Sequence, residues 1–419
     1  MVMKADGVAF VGAGSILPRA GAACDLPLPG AVPFTCEPQM EKEFILPHRG
    51  AVRGSMIQGG VNLIVGGGFH GKSTLIRAIA AGVYNKVQGD GRELVVADPS
   101  AVSVRAEDGR YVGSIDISAF MEGLPEAVPV SPSHFSTQEA SGSTSQAANL
   151  IEALEAGSRL LLMDEDTCAA NIMTRDSRMR AMVHYETISP VIYRVNALWF
   201  EHNVSTIIVI GGNGDWFDVH TGALMMHNFA ATDVTARAHS ISKRFCNGRV
   251  QYAGRGLVHR LKWPETPAAR CPCASSLAGL LGDDRTGLEV AGDAQHPKLM
   301  VGTTNKVTVD LSKLEQLHGG MPQVRGCGLA LLYINRLLQE ASSKGTMNMT
   351  ELLDAVDKAS WLELLQAAGG AGSTGAAARP RRFEVQATLC RLPGVVFGRQ
   401  QGGGKDCNGK DSDARPGEE

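Results

Sequence analysis

The chain has 419 residues, 44% of them apolar, and a formal net charge of −3, which suffices for the cores of two or three domains and excludes a general nucleic-acid binder by net charge. No apolar window approaches the ~18 uncharged residues that span a bilayer, and "MVMKADGVAFVGAG" lacks the sustained apolar core of a secretory signal. A cytoplasmic or organellar location, mitochondrial included, and no membrane partner are therefore expected; nine scattered cysteines without a CxxC pair point to reduced thiols, not a disulfide frame or zinc site.

Four short apolar runs set the fold class. "VNLIV" (61–65), "ELVVAD" (93–98), "RLLLMDED" (159–166) and "VSTIIVIGG" (204–212) read as strands of the buried, parallel kind. Helical patterns at 73–81, 144–156 and 190–202 alternate with them, predicting an α/β sheet covered on both faces. The core is placed at 56–235, after a lead-in of 55 residues. Beyond Asp233 the periodicity weakens. A C-terminal region follows at 236–366, with an irregular insertion at about 263–299, a flexible linker "AAGGAGSTGAAA" (367–378), a segment at 379–399 and a disordered tail from 400.

Between the first strand and the first helix stands Gly66-Gly67-Gly68-Phe69-His70-Gly71-Lys72-Ser73, the spacing of a phosphate-binding loop in its required strand–loop–helix setting. Glycines let successive backbone N–H groups turn inward to form an anion nest at the positive end of the helix. Lys72 would neutralise the β- and γ-phosphates of a bound nucleotide, and the Ser73 hydroxyl would bind magnesium. His70 either touches a phosphate or faces solvent. A strand ending in Asp164-Glu165, 92 residues beyond Lys72, supplies the acids: Asp164 for magnesium, Glu165 as base or orienting group for the attacking water.

"SGSTSQAANLIEALEAG" opens at Ser141, 23 residues before Asp164, with Ser141, Gly142 and Ser143 at a helix start. By itself this is a serine cap. At this distance before the acidic strand it resembles the signature motif of ABC-class ATPases.

The runs "LPHRGAVRG", "LIVGGGFHGKSTLIRAI", "GVYNKVQGDGRE", "ADPSAVSVRAEDGR", "DISAFMEGLP", "FSTQEASGSTSQAANLIEALEAGSRLLLMDEDTCAANIMTRD" and "ARPRRFEVQATLCRL" together resemble the family of predicted ATPases of the ABC class, which includes a kinetoplastid mitochondrial protein associated with RNA editing. The resemblance covers roughly Ala9 to Leu392. It implies a P-loop NTPase with an ABC-type core, a mainly parallel sheet covered by helices and smaller N- and C-terminal parts. ATP and Mg2+ are the implied ligands, held by Lys72, Ser73 and Thr74, with Asp164 and Glu165 as the acidic pair. It further implies a head-to-tail homodimer in which Ser141 and Gly142 cover the partner's nucleotide. Members carry a substantial N-terminal domain, so residues 1–55 are read as its remnant.

Three departures accompany the match. Asn171 stands where the ABC class has its D-loop aspartate, no switch histidine follows "STIIVIGG" (Gly211, Gly212 or Asn213 is there instead), and no Q-loop glutamine is found between Lys72 and Ser141. Slow turnover is therefore expected. An acid-free stretch from Val234 to Pro264 carries Arg237, Lys243, Arg244, Arg249, Arg255, Arg260 and Lys262 with Phe245 and Tyr252. It reads either as a track for an RNA backbone or as a solvated or dimer-facing arm. The resulting functions are a dimeric ATPase gating a macromolecular client, RNA among the candidates, a nucleotide-dependent scaffold, or a transporter's nucleotide-binding subunit.

Overall fold

A computed structural model describes residues 1–21, 24–124, 131–183, 185–245, 269–281, 288–293, 295–302, 306–318, 320–341, 346–367 and 376–399. Most of the expected linker, the whole tail, and Arg249, Tyr252, Arg255, Arg260 and Lys262 lie outside them. The chain divides into two units: Met1–Gly109, Ile117–Pro132 and Ala140–Glu265 form the first, Arg110–Asp116, Ser133–Glu139 and Thr266–Glu419 the second.

The first unit is built on a seven-stranded sheet. From the central strand Val61–Val65, Ser205–Val209, Leu160–Asp164 and Ala101–Val104 follow in order on one side; Gly222–His227, Ala230–Asp233 and Thr35–Cys36 follow on the other. All neighbours run parallel except Gly222–His227 and Ala230–Asp233, which form an antiparallel hairpin. Leu63, Ile64, Leu160, Leu161, Met163, Ile207 and Ile208 are fully buried, as continuous apolar runs with both faces covered should be. The register puts Asp164 beside Val209 and Val209 beside Ile64, so the acidic strand and the strand before the glycine loop end in one row.

Among the described residues six helices belong to this unit: α1 (Lys72–Ala81), α2 (Gly142–Glu155), α3 (Ala170–Met173), α4 (Ser177–Met182), α5 (Val195–His202) and α6 (Thr235–Arg244). The helices expected at 73–81, 144–156 and 190–202 correspond to α1, α2 and α5, the last preceded by a 3-10 turn at Val191–Tyr193. Leu75, Ile76 and Ile79 of α1 join Ile64, Leu160, Leu162 and Ile207 in one apolar cluster. Each such side chain contributes about 1.5–3 kcal/mol by leaving water, and together they fix the helix on the sheet.

One expected strand belongs elsewhere. Val95–Ala97, from "ELVVAD", pairs antiparallel with Gly7–Gly12 in a separate four-stranded sheet completed by Gly50–Gln58 and Glu41–Leu46. Val95 and Ala97 are buried while Val96 is 40% exposed, the alternation of a strand covered on one face. Beside the acidic strand the parallel position is taken by Ala101–Val104 instead.

The second unit contains α7 (Ala274–Leu281), α8 (Gly320–Ala341), α9 (Met349–Lys358), α10 (Trp361–Ala367) and α11 (Arg382–Cys390), with an antiparallel sheet of Leu288–Ala291, Lys298–Val301 and Val307–Asp310. The stretch read as an irregular insertion is thus partly regular. Its Arg270–Pro272 pairs with Phe397–Arg399, a partner more than a hundred residues away that no local pattern announces. All cysteines among the described residues are free, and none of the described helices is long and apolar enough to cross a membrane.

Candidate nucleotide site

The loop begins where the central strand stops. Gly66 has φ +142°, and a Cβ there would stand 2.3 Å from the Met226 carbonyl oxygen of the neighbouring strand; only glycine allows this approach. Gly71 caps α1 with φ +95°, and Lys72, Ser73 and Thr74 form the first turn, whose N–H groups have no intrahelical acceptor. This is the positive end of the helix. Lys72 curls back over the loop, its Nζ donating to the Gly67 carbonyl at 2.8 Å. Phe69, at φ +62°, is fully exposed.

His70 is engaged by the hairpin. The Asn228 amide donates to its Nδ1 at 2.9 Å, which leaves Nε2 as the protonated ring nitrogen, and its ring stacks on His227 with centroids 4.9 Å apart. Asn228 and Phe229 both take left-handed backbone angles at the hairpin turn, which places the Phe229 ring beside Gly71. The sequence names His70 but not this support, because nothing local announces which turn packs against the loop.

Asp164 ends the acidic strand and Glu165 opens the 3-10 turn that follows, two strands away from the loop-bearing strand. Two interstrand steps amount to roughly 10 Å, within reach of a magnesium triphosphate. Asp164 is 8% exposed; its Oδ1 accepts from the Asp166 amide at 3.2 Å. The donor set of a Ser73 hydroxyl and one half-engaged carboxylate suits magnesium, which keeps several waters and takes few protein ligands.

Glu165 occupies a position the sequence did not foretell. Its Oε2 accepts from the Gly211 amide at 2.6 Å and the Gly212 amide at 3.1 Å. Where the ABC class has its switch histidine, this chain turns two backbone donors toward Glu165, which no residue type reveals. Just beyond, Asn213 Nδ2 donates to Thr174 Oγ1 at 2.6 Å, while Asn213 Oδ1 caps the 3-10 turn Gly214–Asp218 by accepting from Asp215.

The segment that resembles a signature motif is tied to the same neighbourhood. Ser141 caps α2, accepting from the Thr144 amide at 3.4 Å, and Ser143 Oγ donates to Asn171 Oδ1 on α3 at 2.6 Å. Gln146, fully buried on α2, accepts from the Ala169 amide at 2.8 Å and so fixes the start of α3. A Cβ on Gly142 would come 3.1 Å from Asp108 Oδ1. Of the basic stretch, Arg237, Lys243 and Arg244 lie on α6, followed by the exposed Phe245.

Comparison with known proteins adds three findings. The P-loop domain model of the ABC ATPases matches residues 2–260, more than half of the chain. The C-terminal domain of MRB1590 matches residues 297–397. An uncharacterised protein of Methanocaldococcus jannaschii, MJ1628, is similar at 32% identity over 145 residues, covering 34% of this chain and 32% of that protein, so the chain spans about a third of this relative's length. With a glycine loop, an acidic strand two places away and a family model running through both, the chain belongs to the ABC ATPase family of P-loop proteins.

Proposed function

We propose that the protein binds Mg-ATP and hydrolyses it slowly as a head-to-tail homodimer, and that closure on nucleotide gates a macromolecular client, with RNA the candidate. The observation that carries hydrolysis is the Glu165 carboxylate, gripped through one oxygen by Gly211 and Gly212 at the carboxyl ends of the strands, where the glycine loop also begins. An acid so held keeps its other oxygen for a water proton. Lys72, the α1 amides and Thr74 bind and orient the triphosphate; Ser73 and Asp164 would hold magnesium, which when bound neutralises charge on the phosphate oxygens. Binding is expected to free the Lys72 ammonium from Gly67 for the phosphates.

Support for the dimer comes from Ser141 and Gly142, which open a helix N-terminus, and from the family resemblance, which gives such a segment a partner's nucleotide. Support for an RNA client comes from the resemblance to a family with an RNA-editing-associated member and from the cations of α6. Sedimentation with ATP and magnesium tests the composite site. Wild type is expected to dimerise, Lys72→Ala to lose nucleotide and dimer together, and Ser141→Arg to bind nucleotide yet remain monomeric. A dimer indifferent to both substitutions refutes the arrangement. RNA binding that is unchanged by nucleotide refutes gating.

A further inference from the structure

Gly211 and Gly212 are exposed, lack side chains to pack, and follow the end of a strand. Two successive glycines are the most costly backbone to order, yet both amides converge on one Glu165 oxygen. Something must pin the pair from both sides. Upstream, the Ile210 amide donates to the Ile64 carbonyl at 3.0 Å, continuing the ladder to the strand that precedes the glycine loop. Downstream, Asn213 is held at both ends of its side chain: Oδ1 caps a turn whose Trp216 is 1% exposed, and Nδ2 donates to Thr174 Oγ1 at 2.6 Å.

We infer that Thr174 and Asn213 are positioning residues for ATP hydrolysis: their hydrogen bond latches the Gly211-Gly212 amides onto Glu165 and does the orienting that a switch histidine would do. The inference rests on the reading of Glu165 as the hydrolytic base. Thr174 is the C-cap of α3, and α3 in turn receives Ser143 at Asn171 and Gln146 at Ala169. The latch is therefore anchored on the helix that the signature segment holds. Asparagine suits position 213 because one side chain must accept from Asp215 while donating to Thr174.

Backbone amides cannot be deleted by side-chain substitution, so the test removes the latch. In Thr174→Val the hydroxyl is lost at constant shape; in Asn213→Ser a capping oxygen is retained but the reach to Thr174 is not. Single-turnover hydrolysis is measured with equilibrium Mg-ATP binding and with hydrogen exchange at the Gly211 and Gly212 amides. Each variant is expected to lose about ten- to a hundred-fold in turnover rate, the scale of a small misplacement of a reacting group. Nucleotide affinity should stay within about twofold, and both amides should exchange faster. Thr174→Ser should restore the rate, and the double variant should be no slower than the worse single one, since both remove one bond. Glu165→Gln separates the failures. If it abolishes turnover while Thr174→Val and Asn213→Ser match wild type, the latch is wrong and the base stands. If it hydrolyses like wild type, the reading of Glu165 falls and the latch with it.

Discussion

Gly66→Ala tests the loop most sharply, because the structure states its cost. Alanine would have to hold φ +142°, a region essentially reserved for glycine, at about 1–3 kcal/mol. Its Cβ would also stand 2.3 Å from the Met226 carbonyl oxygen. Ordinary contact requires that oxygen to retreat by roughly 1 Å, in a strand whose Met225 is paired with Val65; a weakened ladder bond adds about 1 kcal/mol. The total is about 2–4 kcal/mol. If the folded loop keeps its shape, unfolding free energy falls by that amount; if it relaxes, Mg-ATP affinity falls instead, by about 30- to 1,000-fold. Urea unfolding and equilibrium nucleotide binding on the same variant must therefore add to the total. Gly68→Ala is the control for stability: its Cβ would meet no protein atom within 4 Å, and unfolding free energy should hardly move. A Gly66→Ala chain with wild-type stability and affinity refutes the account of the loop.

Three further outcomes follow. Leu162→Ala, in the buried acidic strand and touching the α1 cluster, should cost about 2–5 kcal/mol of stability in urea titration. In the second unit Gly326→Ala should destabilise α8 severely, read as a lower melting temperature, because its Cβ would fall 1.9 Å from the Ala378 carbonyl oxygen. Burial holds the His220 imidazole below its ordinary range, with His239 stacked at 4.1 Å adding to the effect and Asp218 opposing it. The unfolded chain then takes up the proton first, so stability is full above about pH 6.5 and declines as pH falls below it. His220→Asn, which keeps an N–H donor for the Phe217 carbonyl, should flatten that decline in thermal melts taken at several pH values.

What the chain discloses before folding depends on how local the physics is. The buried parallel strands were legible because both of their faces are covered, leaving uninterrupted apolar runs such as Leu160–Met163. The loop was legible because phosphate cradles demand glycine at fixed spacing. Strand partners were not: Val95–Ala97 has the composition of a parallel strand but joins Gly7–Gly12, a choice made by tertiary packing. Helix α8 was hidden by Gly320, Gly326 and Gly328, poor helix formers. At 326 and 328 they serve close approach, since a Cβ would strike Ala378 or Leu288. The grip on Glu165 was invisible for a different reason. Its donors are backbone amides, and the asparagine that secures them looks like any turn residue.

Single-turnover hydrolysis of Mg-ATP by wild type and Glu165→Gln bears most directly on the account. The glutamine oxygen can still accept from Gly211 and Gly212, so nucleotide affinity should persist while a base is lost. The account predicts slow conversion of ATP to ADP by wild type and a rate about a hundred-fold or more lower in the variant; equal rates in the two proteins would contradict it.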